Sequence, residues 1–127
     1  KTFIAVSGIF VTRNVLFRNF RQQYASLIES FGASLTLIDT DFDSIQVSSL
    51  NSDNAVIAQR STTSPYKGLL EYTRGSITSL NKGYEMTGSQ SANGLLSIFN
   101  ANSLTLTSIV AKASSVNSPA DSFGVLF

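Results

Sequence analysis

Phe17, Phe20, Tyr24, Leu27, Ile28 and Phe31 recur at three- and four-residue steps between Asn14 and Gly32, and no other pattern in the chain constrains its fold as strongly. Such spacing places one apolar stripe along an α-helix. Asn14 supplies a side-chain acceptor for the helix start, and Gly32 stands where a left-handed residue closes a helix. Residues 2–11 are β-rich and apolar, interrupted by Gly8, and predict a strand with a bulge or bend. Residues 33–38 predict a second strand, so residues 1–38 read as a β-α-β unit.

Such a unit buries too little apolar area to stand alone and needs the rest of the chain or a partner against its sheet. Short strands are expected at residues 45–47, 55–58 and 103–111, and helical turns near 65–72 and 92–99. Residues 61–65 have linker composition, and Gly68, Gly75, Gly83, Gly88 and Gly94 break up the remaining sequence. No internal repeat of fixed period is read. The expected fold class is α+β: a small module at residues 1–60, then a Ser/Gly-rich extension or arm at 61–127, ordered by partner contacts.

Composition narrows the chemistry. The 127 residues include no histidine, cysteine or tryptophan, which removes the commonest general base, the thiolate nucleophile, disulfides and the usual transition-metal ligands. Without cysteine the redox compartment is not readable. Nine basic and eight acidic residues give a net charge of +1 and a charged fraction of only 13%, a surface better suited to being covered by neighbours than to a free monomer. No apolar run is long enough for a membrane helix. Lys1 at the first position suggests a processed N-terminus, with any targeting peptide already removed.

Asp39, Asp41 and Asp43 have the opening spacing of a calcium loop, but Ser44 and Leu50 stand where glycine and the bidentate glutamate belong, so a polar turn is expected. Neither a phosphate loop nor a dinucleotide fingerprint is present. A serine triad has no histidine to complete it. An enzyme using Asp41 or Glu71 as acid or base stands as a third possibility, with no second group fixed beside either. The first thirty residues are basic and the stretch 39–53 is acidic. Arg13, Arg18 and Arg21 near the aromatic stripe fit a protein partner with acidic rims better than nucleic acid, given the small net charge. Phe20, Tyr24, Leu27 and Ile28 are expected mainly in the core. Candidate partner-binding positions are Arg13, Phe17, Arg18, Phe20, Arg21, Tyr66, Tyr72 and Arg74.

The expected strand, arginine-bearing segment and helix ending in Ile28-Glu29-Ser30-Phe31-Gly32, followed by Ala33-Ser34-Leu35-Thr36-Leu37-Ile38, resemble the small linker domain of phycobilisome linker proteins. Ile28, Gly32, Leu35 and Ile38 occupy matching places, while Ala33 and Ser34 replace a glycine and a basic residue and the helix-start proline is missing. The resemblance implies a non-catalytic light-harvesting protein at the thylakoid surface or in the chloroplast, joining phycobiliprotein disks. It implies contact with bilins carried by partner subunits, with none bound covalently. From the residues alone, the leading expectation is a structural linker inside a larger assembly of unlike proteins. The alternative is a self-assembling subunit of a filament, pilus or virus particle.

Overall fold

A computed structural model describes residues 2–23, 25–49, 55–61, 67–78, 81–84, 96–99, 101–112 and 115–116. Every regular element among them is a strand: β1 (Ile4–Val6), β2 (Ile9–Arg13), β3 (Leu16–Arg18), β4 (Arg21–Gln23), β5 (Ile28–Phe31), β6 (Ser34–Ile38), β7 (Asp41–Asp43), β8 (Gln46–Ser49), β9 (Ile57–Arg60), β10 (Leu69–Thr78), β11 (Asn81–Tyr84), β12 (Leu96–Phe99), β13 (Ser103–Lys112) and β14 (Ser115–Val116). The expected α+β class is therefore corrected to all-β. β3, β4 and β5 occupy the place of the predicted helix, while residues 69–72 and 96–99 are extended rather than helical. Residues 67–68 belong to no regular element, whereas residues 65–66 and 92–95 of those expected turns, Tyr24 and nearly half of the expected arm lie outside the described residues.

All pairings are parallel, and each joins a strand to one on the next circuit of the chain: β1-β5-β9-β12, β2-β6-β10, β3-β7-β10, β10-β13, and β4-β8-β11-β14. Strand order repeated circuit by circuit is the topology of a parallel β-solenoid, with four coils among the described residues. The first coil comprises β1–β4, the second β5–β8, the third β9–β11 and the fourth β12–β14. Strands on either side of residue 60 share ladders, since β10 pairs with β6 and β7.

The interior is built from columns of side chains in register. Phe10, Leu35, Leu70 and Leu104 form one column, and Ile4, Ile28, Ile57 and Leu96 another. Leu35, Leu70, Ile28, Ile57 and Leu96 are fully buried, each contributing about 1.5–3 kcal/mol of apolar burial. Phe17 stacks on Phe42 at 5.2 Å, and Tyr72 meets Phe42 edge-on at 6.1 Å.

Corners set the shape. Asn14, Asp39, Arg74 and Ser108 share one corner, with φ of 52°, 49°, 51° and 56°, and the Asn14 and Asp39 amides continue the ladder to the carbonyls of Ile38 and Thr73. Asn19 and Ser44 repeat this one corner further on. Each left-handed residue adds one position to the two-residue alternation. The inward side chains of the first coil, Phe10, Thr12, Val15, Phe17, Phe20 and Gln22, therefore step by two along strands and by three across corners. Read through its bulky members, that rhythm imitates a helical stripe. Asn14 and Gly32 are corner residues rather than helix caps, and Gly32 (φ 70°) donates its amide to the Arg60 carbonyl at 2.7 Å.

Several polar groups that turn inward are bonded locally, whereas Gln59 Oε1 is buried with no hydrogen-bond partner. Thr12 and Thr40 hydroxyls meet at 2.7 Å, and the Ser30 hydroxyl accepts from the Ala33 amide at 3.1 Å. The Gln59 amide nitrogen donates to the Ala33 carbonyl at 2.9 Å, across a space that Gly68 leaves open. Tyr72 donates its buried hydroxyl to the Thr40 carbonyl, with its ring lying over Gly75. A Cβ at residue 75 would fall 2.2 Å from that ring. Gly75→Ala is accordingly expected to lower stability by about 1–3 kcal/mol, seen as a lower midpoint in urea unfolding with an unchanged slope.

Candidate functional site

Two features on the outside of the coils carry charge. The first is a shallow lateral concavity of about 430 Å³ along the corner column, lined by Asn14, Val15, Leu16, Asp39, Asp41 and Arg74. Its ionic groups all have hydrogen-bond partners. Arg74 donates to both Asp39 oxygens, Nε at 2.8 Å and an Nη at 3.1 Å. One Asp41 oxygen accepts the Ser76 amide at 2.9 Å and the Ser76 hydroxyl at 2.8 Å. The Arg74 hydrogen bond holds the Asp39 carboxyl below its usual range, and the same bond pushes the already basic Arg74 guanidinium further up. Burial, with a smaller push from Asp41, drives the Tyr72 phenol well above its ordinary range.

The second feature is the first coil itself. β1, β2, β3 and β4 each end their ladder, so among the described residues one whole rim of the solenoid is an open strand edge. In a parallel ladder alternate residues bond to the same neighbour. Because Ser34 donates to the Gly8 carbonyl and Asn14 to that of Ile38, the amides of Ile9, Val11 and Arg13 point to the open side. Apolar groups flank this rim on both faces: Ile9 (83% exposed), Val11 and Leu16 outside, with Ile4, Val6, Phe10, Val15 and Phe20 only partly covered inside. Arg13, Arg18 and Arg21 stand exposed around it.

The sequence-derived positions divide between the two environments. Arg13, Arg18 and Arg21 lie on the exposed rim, where Arg18 pairs with Asp43 of the second coil at 2.9 Å. Phe20 is half-buried at the rim, 4.8 Å from Phe3. Arg74 is in the lateral concavity. Phe17 and Tyr72 sit in the core, at 7% and 0% exposure, and Tyr66 lies outside the described residues. Asp39, Asp41 and Asp43 do not converge as in a calcium loop: Asp39 is at the corner, Asp41 and Asp43 follow on β7, and each engages a different partner. Glu71, exposed on β10, stands between Thr36 and Thr105 in the ladder. Among the described residues no cluster of carboxylates has metal-holding geometry, and no helix is long and apolar enough to cross a membrane.

No protein-family profile, curated protein or solved structure matches the chain.

Sequence reasoning missed the exposed Ile9, Val11 and Leu16 because an alternating apolar strand is ordinarily assigned to an interior. The signal was the continuity of the run: β2 is apolar at Ile9, Phe10 and Val11 alike, as expected for a parallel strand covered on both faces.

Replacing Arg74 by Gln should raise the Asp39 pKa toward the ordinary 3.8. A carboxylate depressed in the folded state stabilises the fold above its unfolded pKa, and that contribution is lost as pH falls through the folded value. Carboxyl-carbon NMR titration of the two proteins checks the shift.

Proposed function

We propose that this chain is a non-catalytic structural module that docks onto unlike protein subunits of a larger assembly. The supporting observation is the exposed apolar set Ile9, Val11 and Leu16 on the outer face of β2 and β3, surrounded by the exposed Arg13, Arg18 and Arg21.

Charge argues for unlike neighbours. Joining two copies through this face would oppose Arg13, Arg18 and Arg21 with the same three residues, and like charges at a contact select against that partner.

The resemblance to phycobilisome linkers is carried by a β-α-β order, and β3, β4 and β5 stand where its helix is expected. The proposal is accordingly made for a docking module, without assigning phycobiliproteins, bilins or a compartment to it.

Native mass spectrometry of the assembly isolated from its source should show this chain bound to different polypeptides. Recovery only as a monomer, or only with copies of itself, would overturn the reading.

A further inference from the structure

The lateral concavity draws on three coils, and its ionic members, Asp39, Asp41 and Arg74, come from the second and third. Asn14, Asp39 and Arg74 leave the backbone at left-handed corners with φ of 52°, 49° and 51°. The Asn14 and Asp39 amides are held by the Ile38 and Thr73 carbonyls at 3.1 and 3.0 Å. Side chains rooted in so fixed a backbone are placed before any ligand arrives. The volume of about 430 Å³ falls within the range of about 300–1,000 Å³ usual for small-molecule sites.

Bonds inside the concavity fix its polar groups without exhausting them. Arg74 holds Asp39 with Nε and one Nη, and its other Nη has no partner among the described residues. Asp41 takes both Ser76 donors on a single oxygen, so its second oxygen is still an acceptor. The exposed Asn14 side-chain amide, donor and acceptor at once, bonds to no described residue. Val15 and Leu16 add an apolar flank, with Leu16 47% exposed.

Charge decides the class of ligand. Arg13 and Arg74 both act on Asp39, and Arg18 pairs with Asp43 at 2.9 Å. With Asp41, three cations stand against three anions around this corner, leaving no net charge to draw in an ion. A phosphate would meet the carboxylates, and an ammonium the guanidiniums. A sugar ring suits the mixture, because each of its hydroxyls both donates and accepts. One hydroxyl can donate to a carboxylate while its neighbour accepts from an amide or guanidinium, and the C–H face of the ring can lie on an aliphatic side chain.

We propose that the corner concavity is a binding subsite for a neutral saccharide. Asp41 accepts from one ring hydroxyl, Asn14 and the remaining Nη of Arg74 donate to the next, and Leu16 carries the ring face. Docking through the arginine-rimmed face is a separate matter, and either reading can fail without the other.

The test titrates the ¹⁵N-labelled full chain with cellotriose and, separately, with mannotriose, following amide shifts by NMR. At least one should give saturable shifts centred on residues 14–16, 39–41 and 74–76. For so shallow a site the dissociation constant should be on the order of millimolar, and it should hold steady as salt rises, because the ligand is uncharged. Asp41→Asn keeps an oxygen for Ser76 but loses the second acceptor, and should weaken binding about tenfold. Asn14→Gly keeps the left-handed corner without the side chain and should weaken it about fivefold. The spectra themselves report whether each variant is folded. Glu71→Gln, on β10 outside the concavity, should bind as the parent does. Trigalacturonate and the glucosamine trimer, anionic and cationic relatives of the probes, should bind less tightly. No saturable shift with either neutral trisaccharide, shifts centred elsewhere, binding undiminished in both site variants, or tighter binding of a charged trimer would each overturn the proposal.

Discussion

Everything in this molecule hangs on parallel backbone pairing between successive coils. Each strand's register is inherited from the one beneath it, so a residue's neighbours are fixed by its place in a column more than by its place in the chain. Ile28 touches the circuits before and after it, through Ile4 and Ile57. The parallel ladder favours a column that is apolar along its length wherever it faces inward, and several of the polar exceptions are met by local bonds, Gln59 Oε1 being buried without one. Thr12 and Thr40 bond to each other, Ser30 to the next backbone amide, and Tyr72 to a carbonyl of the coil below. Specificity of register lies partly in these pairs, because a slipped strand would leave them buried without partners.

The left-handed corner residues turn a ladder into a closed circuit. Asn14, Asp39, Arg74 and Ser108 hold nearly the same φ, although only asparagine and aspartate adopt it with ease. At Arg74 the bidentate contact to Asp39 ties the corner side chains of two coils together. Ionic pairing here follows the columns, as it does for Arg18 with Asp43, and both pairs are partly exposed to water, where their worth is modest. Their service is to match coils, favouring one stacking order of basic and acidic circuits over another.

The strands around Gly8, at residues 33–38 and at 103–111 were legible in the sequence because their composition and alternation are local properties. The circuit was not, for two physical reasons. Corners that insert one residue into a period of two generate spacings that also suit a helix, and Asn14 and Gly32 are as apt at a left-handed corner as at a helix end. The repeat was also hidden. Between the first two coils its offset is 24 residues at Ile4 and Ile28 but 25 at Ile9 and Ser34 and at Phe17 and Phe42, and it grows to 35 from Ser34 to Leu69 and 34 from Leu69 to Ser103. Of the rim, Arg13, Arg18 and Arg21 were legible as exposed charge, whereas the open edge beside them is a property of topology alone.

That uneven offset has its own meaning. Chain length varies where one strand hands over to the next, between β8 and β9, β9 and β10, and β11 and β12, while columns on either side stay aligned. A scaffold of this kind separates heredity of shape from heredity of length: its walls keep one register while the number of residues between them differs from coil to coil.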